Sequence, residues 1–585
     1  MHLRVPVRPL AAQAARWALP LLVAGLTTIS VQAQTPAASD TAFQRGSRVP
    51  LPKLNARQTE SLALLGKVWG FAKYYHPAVA AGKYNWDAEL FRVMPQVLAA
   101  PGTKARNAVL SAWLTSLGAV PACADCAKAS AQPVHQQPDL AWLTDKKLLG
   151  AALSQQLVHL RDNRHQGAGY YIKQGGAGNP DFTHEAGYGH MTSPDAGYRL
   201  LALFRYWNMV QYFFPDKYLI GEDWNKVLPE FVPRFAQAAT AEQYRLAVLE
   251  LVARIHDTHG VVSEKDAGIR RIWGDYVSPV LVCWVQEQPV VAKISLTTFG
   301  VQTPLQKGDV VTRVDGVPVA SIIKRWRPLF SASNDMALMT LICQNLLRGN
   351  TAQAQIDVLR AGNPLQLSVT RYLPDAIAAA PLAVASTDSS YRILPANIGY
   401  IHMGRLLPSQ VARTMQALKD TKGIVIDLRA YPNFNTFRLL PGYFLQQAAP
   451  FAKFTEPDLS FPGRFVQSAV VSVTPNPSQF YTGKVAVLVN EDTRSLGEYT
   501  TMALQLNPRA TVLGSTTAGA DGNVSPIVLP GDLTTRFSGL AVFYPDGRET
   551  QRVGIIPTVK VAPSVEGVRA KRDEVLEKAV ALLSQ

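Results

Sequence analysis

Two residues far apart in the chain have the types needed for nucleophilic catalysis. Ser495 sits in VAVLVNEDTRSLGEYTTMALQLNPRATVLG, residues 485–514, and His259 sits in HDTHG, residues 256–260. A serine hydroxyl is a poor nucleophile at neutral pH and becomes an effective one when a base within hydrogen-bond reach takes its proton. Imidazole is the usual base, because it is largely neutral near pH 7. The same residues also admit plainer roles, a helix-capping serine and a hydrogen-bonded structural histidine.

The surrounding pattern favours a reactive serine. The apolar, β-branched run 485–489 reads as a buried strand, residues 490–494 as a polar turn, and 496–506 as a helix followed by another apolar strand. A serine at that junction stands clear of the strand. The first helical turn behind it offers free N–H groups and the positive end of a dipole to a developing oxyanion. His259 follows an amphipathic helix, AEQYRLAVLELVARIHDTHG, at whose end a loop can hold a side chain in a cleft.

Composition bounds the rest. The chain has 585 residues, 47% hydrophobic and 17% charged, values of an ordinary globular protein long enough for several domains. The net charge of +15 comes from scattered Lys and Arg without a basic run, which argues against a nucleic-acid partner. Arg4, Arg8 and Arg16 precede an apolar stretch from Trp17 to Ile29 and a small-residue pattern ending at Ala33, as in a secretory signal peptide spanning 1–33. No later stretch is long and apolar enough to span a bilayer. Export to the periplasm or exterior is therefore expected, and Cys123 and Cys126 in PACADCAK are expected to form a local disulfide there. Cys283 and Cys343 lie in apolar surroundings and read as buried.

In order, the chain reads as a linker (34–50), a helical unit (51–164), a loop-rich connection (165–195), a second helical unit ending in the His259 loop (196–272), a β-rich segment (280–373), a Pro/Ala-rich linker (374–394) and an α/β core (395–585). The two helical units share a phrase. Trp69, Tyr74, Tyr75, His76, Pro77 and Trp86 are echoed by Trp207, Tyr212, Phe213, Phe214, Pro215 and Trp224. Aromatic residues at helical spacing are read as core. In the connection, His165, His184 and His190 with Asp181 and Glu185 could ligate a metal, but no pair has helical ligand spacing. In the β-rich segment Leu305, Gly308, Asp309, Val311, Val314 and Gly316 match the L-x-x-G-D-x-I-x-x-V-x-G phrase of a PDZ domain, which this segment resembles.

From about Ala253 onward the chain also resembles the tail-specific (C-terminal processing) serine peptidases, in the branch with the tricorn core and retinoid-binding-protein-like members. The phrases are D-x-H at 257–259, G-Y-I at 399–401, the strand ending D-L-R at 424–429, N-E-x-T-x-S-x-x-E at 490–498, G-x-x-T-A-G at 514–519 and G-I-x-P at 554–557. This resemblance implies a ClpP/crotonase-like spiral core, a polypeptide substrate and no metal or organic cofactor. The processing branch has a base lysine at a position that here is Ala520, so the histidine of the tricorn-like branch, His259, is implied instead. Thr258 occupies that branch's auxiliary serine position. The acidic member falls on Gln551 or, two residues earlier, Glu549, and both stay open. Leu496 supplies one oxyanion N–H, and an ungapped match leaves Asn433 as the second, since Pro432 has none. Two functions are compatible: an endopeptidase, or a peptide- or ligand-binding protein that kept the fold without the chemistry.

Overall fold

A computed structural model describes residues 36–51, 53–294, 303–375 and 390–585, so the signal sequence and most of the 374–394 linker lie outside the described residues. Helix α1 (Ala56–Tyr75) starts at Asn55, whose side chain accepts from the Gln58 N–H while the Gln58 amide oxygen accepts from the Asn55 N–H. With α2 (Trp86–Ala99), α3 (Ala196–Phe213), α4 (Trp224–Ala236) and α5 (Ala241–Ala253) it forms the helical part of the molecule. The repeated aromatic phrase has the same consequence twice. Trp69 and Trp86 each donate an indole N–H to the other's carbonyl, and Trp207 and Trp224 do the same. In both pairs the rings stack with centroids 6.5 Å apart. All four are at most 3% exposed, and each such burial contributes an upper bound of roughly 4–6 kcal/mol. The two copies meet where α1 and α3 pack closely: a Cβ on Gly70 would fall 1.9 Å from the Asn208 side chain.

The 165–195 connection is not wholly irregular, since Ile172–Gln174 and Pro180–Phe182 pair as a short antiparallel hairpin. Its charged side chains serve packing. Glu185 pairs with Lys73 and Arg205, and Arg205 pairs with Asp87, in a buried ionic network. His165, His184 and His190 bond to the carbonyls of Ala168, Tyr170 and Gln44. Cys123 and Cys126 form a disulfide; Cys283 and Cys343 are free.

Next comes a six-stranded antiparallel sheet, five of whose strands lie in sequential order, β1 (Val280–Val285), β2 (Gln288–Ile294), β3 (Val310–Val314), β4 (Gln353–Arg360) and β5 (Asn363–Thr370), while the two-residue strand Val317–Pro318 pairs with β3 off this path. Between β3 and β4 run α6 (Val319–Trp326) and α7 (Asp335–Asn345). Asp315 and Gly316 both have positive φ, as the tight turn after β3 requires.

The C-terminal part is built on a second sheet: β6 (Tyr391–Leu394), β7 (Ile398–His402), β8 (Gly423–Asp427), β9 (Lys484–Val489), β10 (Ala510–Gly514) and, beyond a hairpin of β11 (Val524–Leu529) and β12 (Leu533–Ser538), β13 (Val559–Lys560). The sheet order is β6-β7-β8-β9-β10-β13, parallel throughout except for the antiparallel edge strand β6. A parallel sheet covered on both faces needs strands apolar on both, which is why β8 is buried along its whole length. Val425, Ala486 and Leu488 pack against the last helix, and Ile424, Ile426, Val485 and Val487 face the other cluster. Helix α8 (Leu496–Leu504) follows β9, and α9 (Glu574–Ser584) is that last helix. Ligands in such sheets bind beyond the carboxyl ends of the strands, and the turn after β9 lies there.

Candidate active site

Ser495 caps α8 directly after the β9 turn, with φ 51° and ψ −122°. A non-glycine residue in this region costs on the order of 1–3 kcal/mol, so its surroundings must hold it there. Two acceptors take its N–H: the Ala520 carbonyl at 2.8 Å and Glu498 Oε2 at 3.2 Å. Glu498 is fully buried and also accepts from the Gly519 and Ala520 N–H groups and the Thr517 hydroxyl. Burial pushes its carboxyl up to about 7 against these donors. One side chain in the first helical turn thus ties the serine turn to the 517–520 loop. It holds the turn in place rather than merely capping a helix.

His259 is held by Ser538, which has no signature in the motif, and by Asp257 of the D-x-H phrase. Its Nδ1 lies 2.9 Å from Ser538 Oγ, which lies 3.1 Å from Asp257 Oδ1. The arrangement fits Nδ1–H donating to Ser538 and Ser538 donating to Asp257; the tautomer follows from this network. Asp257 is fully buried and further accepts from the His259 N–H at 3.0 Å and the Ser538 N–H at 2.6 Å. Among the described residues no group bonds to the ring's Nε2, which is the atom that can accept a proton. Burial lowers the His259 pKa, Asp257 opposes that, and Arg536 and Arg494 lower it further. The imidazole is therefore neutral at pH 7, the form a base requires.

The loop carrying His259 is stitched to the antiparallel-sheet segment. Asp257 exchanges two hydrogen bonds with the Ser331 hydroxyl, and Thr258 pairs with Ser333 through N–H and hydroxyl groups in both directions. Asn334, at the start of α7, donates to the Thr517 carbonyl in the loop that Glu498 also holds. Thr258 Oγ1 lies near Ser333 Oγ and the Ala518 carbonyl, so its hydroxyl anchors the loop.

Thr258, His259 and Ser495 line one cleft of about 590 Å³, without a direct Ser495–His259 hydrogen bond. Other inferred positions lie elsewhere. Neither Glu549 nor Gln551 bonds to His259. Glu549 accepts from the Tyr218 phenol at 2.7 Å, and Gln551 is buried with neither amide atom hydrogen-bonded among the described residues. The Nδ1 position is already taken by Ser538. Of the two proposed oxyanion donors, Leu496 is the first residue of α8, and its N–H meets no acceptor among the described residues. The Asn433 assignment concerns its backbone N–H, which meets no backbone acceptor among the described residues, while its side chain is engaged elsewhere. Its amide donates to the carbonyls of Gly404 and Leu406, and the residue of that loop that faces the cleft is Tyr431, 57% exposed. Sequence reasoning missed Ser538, Ser331 and Ser333, and only the D-x-H phrase hinted at Asp257.

Comparison with known proteins points the same way. Residues 397–561 match peptidase family S41. A Chlamydia pneumoniae protein is 29% identical over 103 residues, 17% of this chain and 17% of that one. A protein of Chlamydia trachomatis serovar D is 28% identical over 117 residues, 19% of this chain and 20% of that one. The chain thus spans at most 20% of the length of these curated relatives. Among solved structures, mature CPAF complexed with lactacystin superposes with a TM-score of 0.52 at 14% identity, covering 66% of this chain and 98% of that one. Mature CPAF alone gives 0.51 at 13% identity, covering 66% and 97%. At that identity the likeness concerns the fold. Residues 397–561 carry the pattern of the tail-specific serine peptidases of family S41.

Proposed function

We propose that the protein is an exported serine endopeptidase that cleaves extended or unfolded polypeptides at Ser495 with His259 as base. The observation that carries this reading is the shared cleft. It holds a serine on a strained strand-to-helix turn and a neutral histidine whose Nδ1 is engaged and whose Nε2 is free.

In the reaction, His259 Nε2 takes the Ser495 proton as Oγ bonds to the scissile carbonyl carbon, and the oxygen of that carbonyl takes up the negative charge beside the Leu496 N–H. The imidazolium then returns its proton to the leaving amine as the C–N bond breaks. A water, deprotonated by the same nitrogen, cleaves the acyl ester and restores the hydroxyl. Asp257 stabilises the imidazolium through Ser538 without taking a proton itself.

The antiparallel sheet with α6 and α7 supports a PDZ-like role, in which an extended peptide adds to a sheet edge. The parallel sheet is compatible with a ClpP/crotonase-like spiral core, and the N-terminal basic and apolar stretch supports export. A fluorophosphonate probe tests the chemistry. Wild-type protein should be labelled and Ser495→Ala should not, whereas a folded wild type that resists the probe would favour the binding-protein reading.

A further inference from the structure

The cleft around Ser495 carries positive charge that the protein leaves largely unanswered. Arg429 also lines it, but a carboxylate fork from Asp427 and Asp573 meets its guanidinium. Arg494 and Arg536 differ. Both are exposed, and neither pairs with a carboxylate among the described residues. Arg494 immediately precedes the nucleophile. Among the described residues Arg536 uses only Nε, to reach the His259 carbonyl at 3.3 Å, and its terminal nitrogens meet no acceptor. Among the described residues the one acid lining the cleft, Asp492, is partly buried and bonded to Gln344 at 2.9 Å. Burial and the nearby Glu491 raise its pKa, while Arg494 and the Gln344 hydrogen bond act the other way, so Asp492 offsets part of the Arg494 charge and leaves Arg536 unopposed. Both arginines are close enough to depress the His259 pKa, behind burial as the main cause.

We infer that the substrate is acidic at the cleavage site, with a carboxylate next to the scissile bond held between Arg494 and Arg536. This deepens the peptidase reading of the same cleft and rests on it for the location of the scissile bond. The geometry also suggests the side of that bond. Arg536 and Ser538 share a face of β12, and Ser538 holds the histidine that protonates the leaving amine. Arg536 therefore stands beside the leaving segment, where an Asp or Glu would meet its free fork. Guanidinium groups bind carboxylates through two parallel hydrogen bonds, so such a site should prefer Glu to its neutral isostere Gln.

Binding of fluorescent peptides to the Ser495→Ala protein tests this without turnover. Peptides carry Glu, Gln or Lys at the same position on either side of one candidate bond, and each is made with a free and an amidated C-terminus. Glu on the leaving side should bind about tenfold tighter than Gln at low salt. The advantage should shrink at high salt, disappear in Arg494→Gln/Arg536→Gln and pass to Lys in Arg494→Glu/Arg536→Glu, with circular dichroism confirming that each variant is folded. Equal affinity for Glu and Gln would overturn the inference, and so would a preference that depends only on a free C-terminus. Fluorophosphonate labelling of wild type is scored separately. Labelling without acid preference removes only this inference, and acid preference without labelling removes only the peptidase reading.

Discussion

Ser538 Oγ lies 2.9 Å from Nδ1 of His259, although 279 residues separate them in the chain. This contact makes a serine on the 524–538 hairpin, rather than an acid near residue 550, the group that orients the imidazole. It also relays the Asp257 charge to the ring.

Ser538→Ala removes that relay and leaves Nδ1–H facing an apolar methyl. The expected loss in kcat is about 10–10²-fold, with KM nearly unchanged, because the contact matters most once the ring is charged. Ser538→Thr, which keeps the hydroxyl, should recover much of it. A merely structural defect would instead lower stability and leave the kcat-to-KM balance undisturbed.

Protonation should switch the activity at lower pH than for an ordinary histidine. Burial, then Arg536 and Arg494, depress the His259 pKa, with Asp257 acting against them. Because neutral imidazole is the active form, kcat/KM should fall as pH drops through a pKa below that of an ordinary histidine. Arg494→Gln/Arg536→Gln should move that acid limb upward. A pH–rate profile on a neutral peptide checks both the position and the shift.

Glu498→Gln replaces an acceptor of four hydrogen bonds with an amide whose NH₂ faces donors. The expected cost is about 1–3 kcal/mol of stability, with slower fluorophosphonate labelling as the Ser495 turn loosens. Thermal unfolding and labelling rates check it. In wild type, the Glu498 carboxyl titrating near 7 instead of near 4.5 gives stability that is fully present at pH 4 and is lost as pH rises through 7. A carboxyl that prefers its protonated form when folded can have only that sign.

The two tryptophan exchanges should behave alike. Trp69→Phe and Trp207→Phe each leave a buried carbonyl without its indole donor, at an expected cost of about 1–3 kcal/mol apiece by urea unfolding. Each variant keeps an aromatic ring, so most of the buried area remains. Markedly unequal losses would show that the repeat is one of sequence and not of structure.

The sequence by itself determined what short-range rules can encode. The apolar run before Ser495, the polar turn and the helix after it lie within a few residues of one another, so the place of the serine between strand and helix was legible. The aromatic repeat, the Asp315–Gly316 turn and the local Cys123–Cys126 bridge were legible for the same reason. Tertiary structure decided the partners of His259. Ser538, Ser331 and Ser333 are ordinary hydroxyl residues that acquire a role only where distant loops meet, and no spacing marks them beforehand. It also set Glu549 against Tyr218. An ungapped match transfers positions along a strand. It cannot transfer the direction of a side chain, which the packing of neighbouring loops fixes.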